Sequence, residues 1–220
     1  MSDSPADLSY RRLPIRRSAR AILAVALSVG LIIEFGGRQS HSSVPTSSCK
    51  AQNHCYRSTT RVDFPSYGNV YPSNLSDCMF AAAAHWQIIV LKRTPSASAV
   101  IEDYRKASVS DSSGINEDVF YWYWTSRGID GSRISDWRVI NVTSRAEIEH
   151  AVRRNKAVSA SFVFHEGATL GGTKVGVGGH AAIIDGYTQT GPLVVTWGTT
   201  YQMTWREYWA SIASLRSIIL

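Results

Sequence analysis

The stretch NLSDCMFAAAAHW, residues 74–86, places one of the chain's three cysteines at the mouth of an alanine-rich run. Ser76 or Asp77 can cap a helix that the pattern carries from about Asp77 to Lys92. Cys78 then occupies the first turn, where backbone N–H groups are unpaired and the helix end carries a partial positive charge. A thiol in that position is either small buried packing or a nucleophile whose thiolate the helix field favours, with its pKa lowered. Alanines at 81–84 let the helix pack closely on its neighbours. His85 lies on nearly the same helical face, but ~10 Å along the axis, too far to serve as a base for Cys78.

A second stretch bears on that choice. VGVGGHAAIIDGY, residues 175–187, sets His180 at the start of an apolar strand directly after two glycines. Gly178 and Gly179 permit close backbone approach. An imidazole leading a strand can point across to a helix N-terminus, take the thiol proton and return it to a leaving group. A satisfied structural histidine is the plainer reading of His180 alone. Strand alternation turns Asp185 away from the base. His165 and Glu166 end a strand beside the glycine-rich loop, where they either touch substrate or are simply solvated.

Cys78, then GGHAAIIDGY, then VVTWGTTYQMTW (residues 194–205) follow the order found in the papain-like cysteine peptidases, which this chain resembles over roughly residues 62–220. EIEHAVRRNKAVSASFVF (residues 147–164) is similar to that family's helix and strand before the histidine loop. Asp77 before the cysteine is closer to the small bacterial branches. The resemblance implies an α+β, papain-like fold, with a nucleophile helix packed on an antiparallel sheet. It implies Cys78 and His180 as the catalytic pair, a peptide or protein substrate, and no cofactor or metal. Two positions depart from the family. Its orienting Asn, two residues before the Trp, is Val195 here, and Thr196 is expected to point to the opposite strand face. A Cys-His pair remains chemically sufficient, although losing an orienting group can cost orders of magnitude in rate. Its oxyanion-hole Gln, six residues before the nucleophile, is Pro72 here. Asn74 is expected to supply the amide instead, beside the Cys78 backbone N–H, or else is only a turn residue. Trp197 either shields the pair from water or packs the sheet. The same residues resemble cell-wall amidases and endopeptidases of the CHAP or NlpC type, which act on peptidoglycan peptides. Val195 and Pro72 also leave open a catalytically inactive papain-like binding module.

Around these motifs the chain reads as helices first and strands later. SASAVIEDYRKAS (96–108), NEDVFYWYWTSRG (116–128) and SRAEIEHAVRRN (144–155) have helical caps or spacing. SRISDWRVINV (132–142), AVSASFVF (157–164), HAAIIDGY (180–187), LVVTWGTT (193–200) and SLRSIIL (214–220) read as strands. The glycine-rich run GATLGGTKVGVGG (167–179) lacks the strand–loop–Lys–helix context of a phosphate cradle. That order is an α+β arrangement.

The net charge of +6 is unevenly placed. Residues 1–40 hold six arginines against Asp3, Asp7 and Glu34, so half of the excess lies in the tail and the remainder lacks the basic stripe that nucleic-acid binding requires. YRRLPIRRSAR precedes an apolar run from Ala21 to Ile33. As a helix that run spans roughly 20 Å, short of the ~30 Å hydrocarbon core, which fits a signal peptide or short signal anchor; a buried core helix is the alternative. The expected organisation is a basic cytoplasmic tail and membrane segment at 1–36, a polar linker at 37–61 and a peptidase domain at 62–220. Arginines on the near side place that domain outside the cytoplasm, exported or anchored at the cell envelope. Cys49 and Cys55 can bridge in an oxidising compartment and leave Cys78 as the odd thiol. A zinc site from Cys49, His54 and Cys55 lacks a second ligand pair at metal spacing.

Overall fold

In the computed structural model the described residues are 55–59, 61, 63–68, 77–108 and 115–220. The basic tail, the apolar run, Cys49, His54, Pro72 and Asn74 lie outside them. The elements are β1 (Tyr56–Arg57), α1 (Cys78–Trp86), α2 (Ala97–Ala107), α3 (Glu117–Ser126), β2 (Asp136–Val139), α4 (Arg145–Asn155) and β3 (Val158–Phe164). They continue with β4 (Thr169–Leu170), β5 (Thr173–Lys174), β6 (Gly178–Tyr187), β7 (Pro192–Thr196), β8 (Thr199–Gln202), α5 (Trp205–Ser211) and β9 (Ile212–Ile219).

Strand β6 organises the rest. Every residue from Ala181 to Tyr187 is buried, because helices cover both faces of the sheet at this strand. Alternation sorts its side chains: Ala181 and Ile183 join a core with α1, α2 and α3, whereas Ala182 and Ile184 join a second core with α4 and α5. This explains why residues Ala181 to Ile184 are apolar without a break rather than alternating. The sheet order is β2-β9-β3-β6-β7-β8, with β1 also pairing with β6, and each pairing is antiparallel. Tyr56 and Arg57, within the stretch expected as a linker, pair with Tyr187 and Gly186. A Cβ on Gly186 would lie 2.4 Å from the Tyr56 carbonyl oxygen, so this close crossing requires glycine.

Helix α1 is buried on all sides from Met79 to Trp86, as its alanines permit. It continues as a π-helical turn over Gln87–Leu91 and stops at Lys92, which adopts the left-handed conformation with φ 58°. The helical core is strongly aromatic. Phe80 meets Tyr104, Phe120 and Tyr123 edge-on at centroid distances of 5.9, 5.3 and 5.6 Å, contacts worth on the order of 1 kcal/mol each beyond area burial. Asn116 caps α3 by accepting from the Asp118 N–H, and Ser144 and Glu147 form a capping box on α4. The glycine-rich run folds into the short β4–β5 hairpin.

Candidate active site

Two local features place the nucleophile candidate. Asp77 ends the incoming chain and α1 starts at Cys78, which is a free, half-buried thiol. The packing of α1 on β6 brings the Cys78 sulfur against the backbone N–H of Ala181, the residue that follows His180; the N–H groups of Cys78 and Met79 also act on it. These donors favour the thiolate, as the helix-start position predicts. Burial outweighs them and pushes the thiol above its ordinary value, and the Asp77 carboxylate adds to the rise. The expectation of a lowered thiol pKa therefore does not hold: the resting sulfur is a neutral thiol because desolvation wins.

His180 enters β6 after Gly178, whose φ of 148° is available only to glycine at low cost. Its Nε2 is bonded to Thr196 Oγ1 at 2.6 Å. The ring stacks on Trp197 at 4.4 Å and on Phe164 at 6.1 Å. Burial pushes the imidazole down to about 3, with neighbouring His85 adding to the effect, so the ring is neutral at physiological pH. No hydrogen bond joins Cys78 Sγ to the His180 ring among the described residues.

Thr196 lies on the face opposite Val195, as alternation predicts, but that face, and not Val195's, holds the histidine ring. The reason lies in the alternation of β6. Ala181 packs toward α1, so His180 falls to the other side, the side that Thr196 occupies, while Val195 is fully buried in the helical core with Ala181. Val195 therefore does not orient His180.

Trp197 and Gly198 are the two central residues of the β7–β8 hairpin, between the paired Thr196 and Thr199. Both have positive φ, 45° and 80°, the requirement of the two-residue turn that matches strand twist. Asn-Gly would meet that requirement with less strain; a tryptophan there costs on the order of 1 kcal/mol. The strained turn sets the indole against the His180 ring.

The remaining sequence candidates separate. His85 Nε2 contacts the Pro65 carbonyl oxygen at 2.8 Å, its ring packs on Phe64 and Tyr67, and burial pushes it down to about 4. It is a structural residue, as its distance along the helix predicts. Asp185 pairs with Arg57 Nε at 3.4 Å, and burial pushes its carboxyl up to about 6 against that cation; it ties β1 to β6 and does not contact His180. His165 and Glu166 are exposed in the turn after β3. Cys55 is disulfide-bonded. Asn74, the expected oxyanion donor, lies outside the described residues. Among the described residues no group of side chains is arranged to hold a metal ion, and no helix is long and apolar enough to cross a membrane. Sequence reasoning missed Phe164 and the Ala181 N–H. The signal for the latter is the register of α1 against β6, which a linear pattern does not carry.

No family model matches the sequence, and no curated protein matches it. Similarity is found in solved structures. The Carica candamarcensis cysteine protease CMS1MS2, in complex with E-64, superposes with a TM-score of 0.52 at 11% identity, over 76% of this chain and 99% of that one. A structure from a study of the mite allergens Blo t 1 and Der p 1 superposes with a TM-score of 0.50 at 10% identity, over 82% of this chain and 75% of that one. The fold is papain-like: a helical part, with Cys78 at the start of its helix, packs on an antiparallel sheet.

Proposed function

We propose that the chain is a cysteine peptidase with Cys78 as nucleophile and His180 as general base and then acid. The observation that carries this reading is the seat of the free thiol among the described residues: at a helix N-terminus, half-buried, against the N–H of the residue that follows a histidine stacked on Trp197. In the tautomer the chemistry needs, His180 Nε2–H donates to Thr196 Oγ1 and Nδ1 carries the lone pair. His180 leads β6 on the face opposite Ala181, so this step requires the ring to reach past the strand's first residues to the thiol; there Nδ1 accepts the thiol proton as sulfur bonds the substrate carbonyl carbon. The carbonyl oxygen becomes an oxyanion held by the Cys78 backbone N–H, with Asn74 as the proposed second donor. The C–N bond then breaks as the imidazolium returns its proton to the amine, and water hydrolyses the thioester with His180 again acting as base. Trp197 excludes bulk water from the pair.

E-64, an electrophile found on one structural neighbour, supplies the test. The full chain is expected to form a covalent adduct on Cys78, and Cys78→Ala is expected to form none. Equal labelling of the two, or labelling of neither, contradicts the reading. The branch of the fold is open to the same kind of test: release of peptides from purified peptidoglycan marks a cell-wall amidase or endopeptidase, and hydrolysis of unfolded protein marks a general peptidase.

A specific observation favours a second reading, a catalytically inactive papain-like binding module. Thiol and imidazole are both neutral and are not bonded to each other, and Val195 stands where the family's orienting residue would be. Normal peptide binding with no turnover identifies it. The disulfide at Cys55 and the basic run before the apolar segment support export or anchoring at the cell envelope. Retention of the full chain in the membrane pellet after an alkaline wash distinguishes anchoring from release.

A further inference from the structure

Asp77 directly precedes Cys78, and its side chain is completely buried, yet among the described residues neither carboxyl oxygen has a hydrogen-bond partner beyond Asp77's own backbone. Aspartate at a helix start ordinarily accepts a bond from the first-turn N–H groups. Here the backbone angles, φ −95° and ψ 14°, are not those of a capping residue, and the side chain caps nothing. A carboxyl turned inward without a partner opposes folding, so its presence beside the nucleophile candidate calls for a functional account.

We propose that Asp77 is a positioning residue for Cys78, a carboxyl buried without a partner beside the thiol, whose charge withholds the thiolate. The inference rests on reading Cys78 as the nucleophile, and goes beyond that reading by naming what governs its reactivity. Burial raises the Asp77 carboxyl to about 7, and Asp77 acts on Cys78 as a like charge. The carboxyl ionises first, so the mutual repulsion falls on the thiol. No other charge competes at Asp77, whose titration is set by burial and its own backbone. Of the elements packed on α1, β3 and β7 carry no ionisable side chain. β6 carries His180 and Asp185, the latter paired with Arg57. On α2, Glu102 and Lys106 pair with each other, Asp103 holds Tyr123, and Arg105 is exposed. His85, on α1 itself, is neutral against Pro65. Cys78 is thus most readily ionised while Asp77 keeps its proton.

The test is the rate of alkylation of Cys78 by iodoacetamide from pH 5 to 11, followed by mass spectrometry of the Cys78 peptide in the intact full chain. In the parent protein the logarithm of the rate is expected to climb more shallowly than one proton per pH unit above neutrality. In Asp77→Asn it is expected to climb with unit slope toward a lower apparent pKa, with alkylation at pH 8 at least about threefold faster, the equivalent of half a pKa unit. An unchanged or slower profile in Asp77→Asn overturns the proposal. Asp77→Ser removes the same charge and replaces Asp77→Asn if the latter loses its near-ultraviolet circular dichroism. The parent curve is decisive even without variants, since a single steep one-proton rise overturns the proposal. Alkylation needs no peptidase activity: a shifted profile with no E-64 adduct removes the proposed function and leaves only the coupling of Asp77 to the Cys78 thiol standing.

Discussion

His180 is bonded through Nε2 to Thr196 Oγ1 at 2.6 Å, and the backbone N–H of the next residue, Ala181, meets the sulfur of Cys78. One strand thus presents an imidazole on one side and a thiol contact on the other. Thr196 takes the orienting place that Val195 cannot fill.

Thr196→Val keeps the shape of the side chain and removes the hydroxyl. The imidazole then loses its only hydrogen bond among the described residues, and its tautomer is no longer held. A neutral hydrogen bond is worth about 1 kcal/mol, so kcat is expected to fall on the order of tenfold with KM little changed. Steady-state kinetics on a peptide substrate measure this, and an equal loss through KM alone counts against an orienting role.

Two histidines are held neutral by burial, His180 at about 3 and His85 at about 4. Both folded-state values lie below the ordinary histidine value, so their contribution to stability is fully present above about 6.5 and is lost as pH falls toward 4 and 3. Nitrogen-15 spectra of the imidazoles are expected to show both rings uncharged at pH 5. A charged ring at either position at pH 6 contradicts the burial argument.

For Asp77 the sign reverses. Its folded carboxyl value is raised, so its contribution is fully present below about 4 and is lost as pH rises through about 7. Asp77→Asn is therefore expected to raise Tm at pH 8, by on the order of 5 °C for a loss of about 2 kcal/mol of buried-charge cost, and to change it little at pH 4. Thermal unfolding at the two pH values checks this, and a Tm at pH 8 below that of the parent refutes it.

Arg216 joins the helical half to the sheet. Tyr121 and Trp137 stack on each other at 4.7 Å, the Arg216 guanidinium lies 5.3 and 5.1 Å from their centroids, and it pairs with Glu117 at 2.5 Å. The Glu117 side chain is 32% exposed and also accepts from Ser161 and Ser214, so losing Arg216 costs about 1–2 kcal/mol, well short of a fully buried pair. Arg216→Ala is expected to lower Tm by roughly 5 °C, and Arg216→Met with Glu117→Gln to recover much of that loss. An Arg216→Ala protein as stable as the parent shows the cluster to be incidental.

Much of the fold was legible in the chain because local signals agreed with the tertiary outcome. Asn116 and Ser144 start their helices where the caps predict, and HAAIIDGY is the central strand that its apolar residues Ala181 to Ile184 describe. Helix α5 also carries a readable signal, the Thr204–Glu207 capping box, which the surrounding strand-like residues obscure. Strand β1 has only two residues, and the cue to its place is a glycine 129 positions away from Arg57, its partner. The papain-like order of Cys78, His180 and Trp197 was legible as well; the side of the sheet that each side chain faces was not. Alternation fixes faces within a strand, but only the packing of α1 on Ala181 decides which face is which. The sequence alone therefore places Thr196 opposite Val195 but does not reveal that His180 shares its face.

The central claim is that Cys78 attacks a carbonyl with the help of His180. It is tested most directly by trapping the acyl-enzyme from an activated peptide ester in acid quench and locating its mass. The account predicts acylation of the Cys78 peptide in the parent chain, none in Cys78→Ala, and at least a hundredfold slower acylation in His180→Gln, the general-base share of such a step. Acylation that proceeds equally well in His180→Gln, or a parent chain that is never acylated at Cys78, would contradict it.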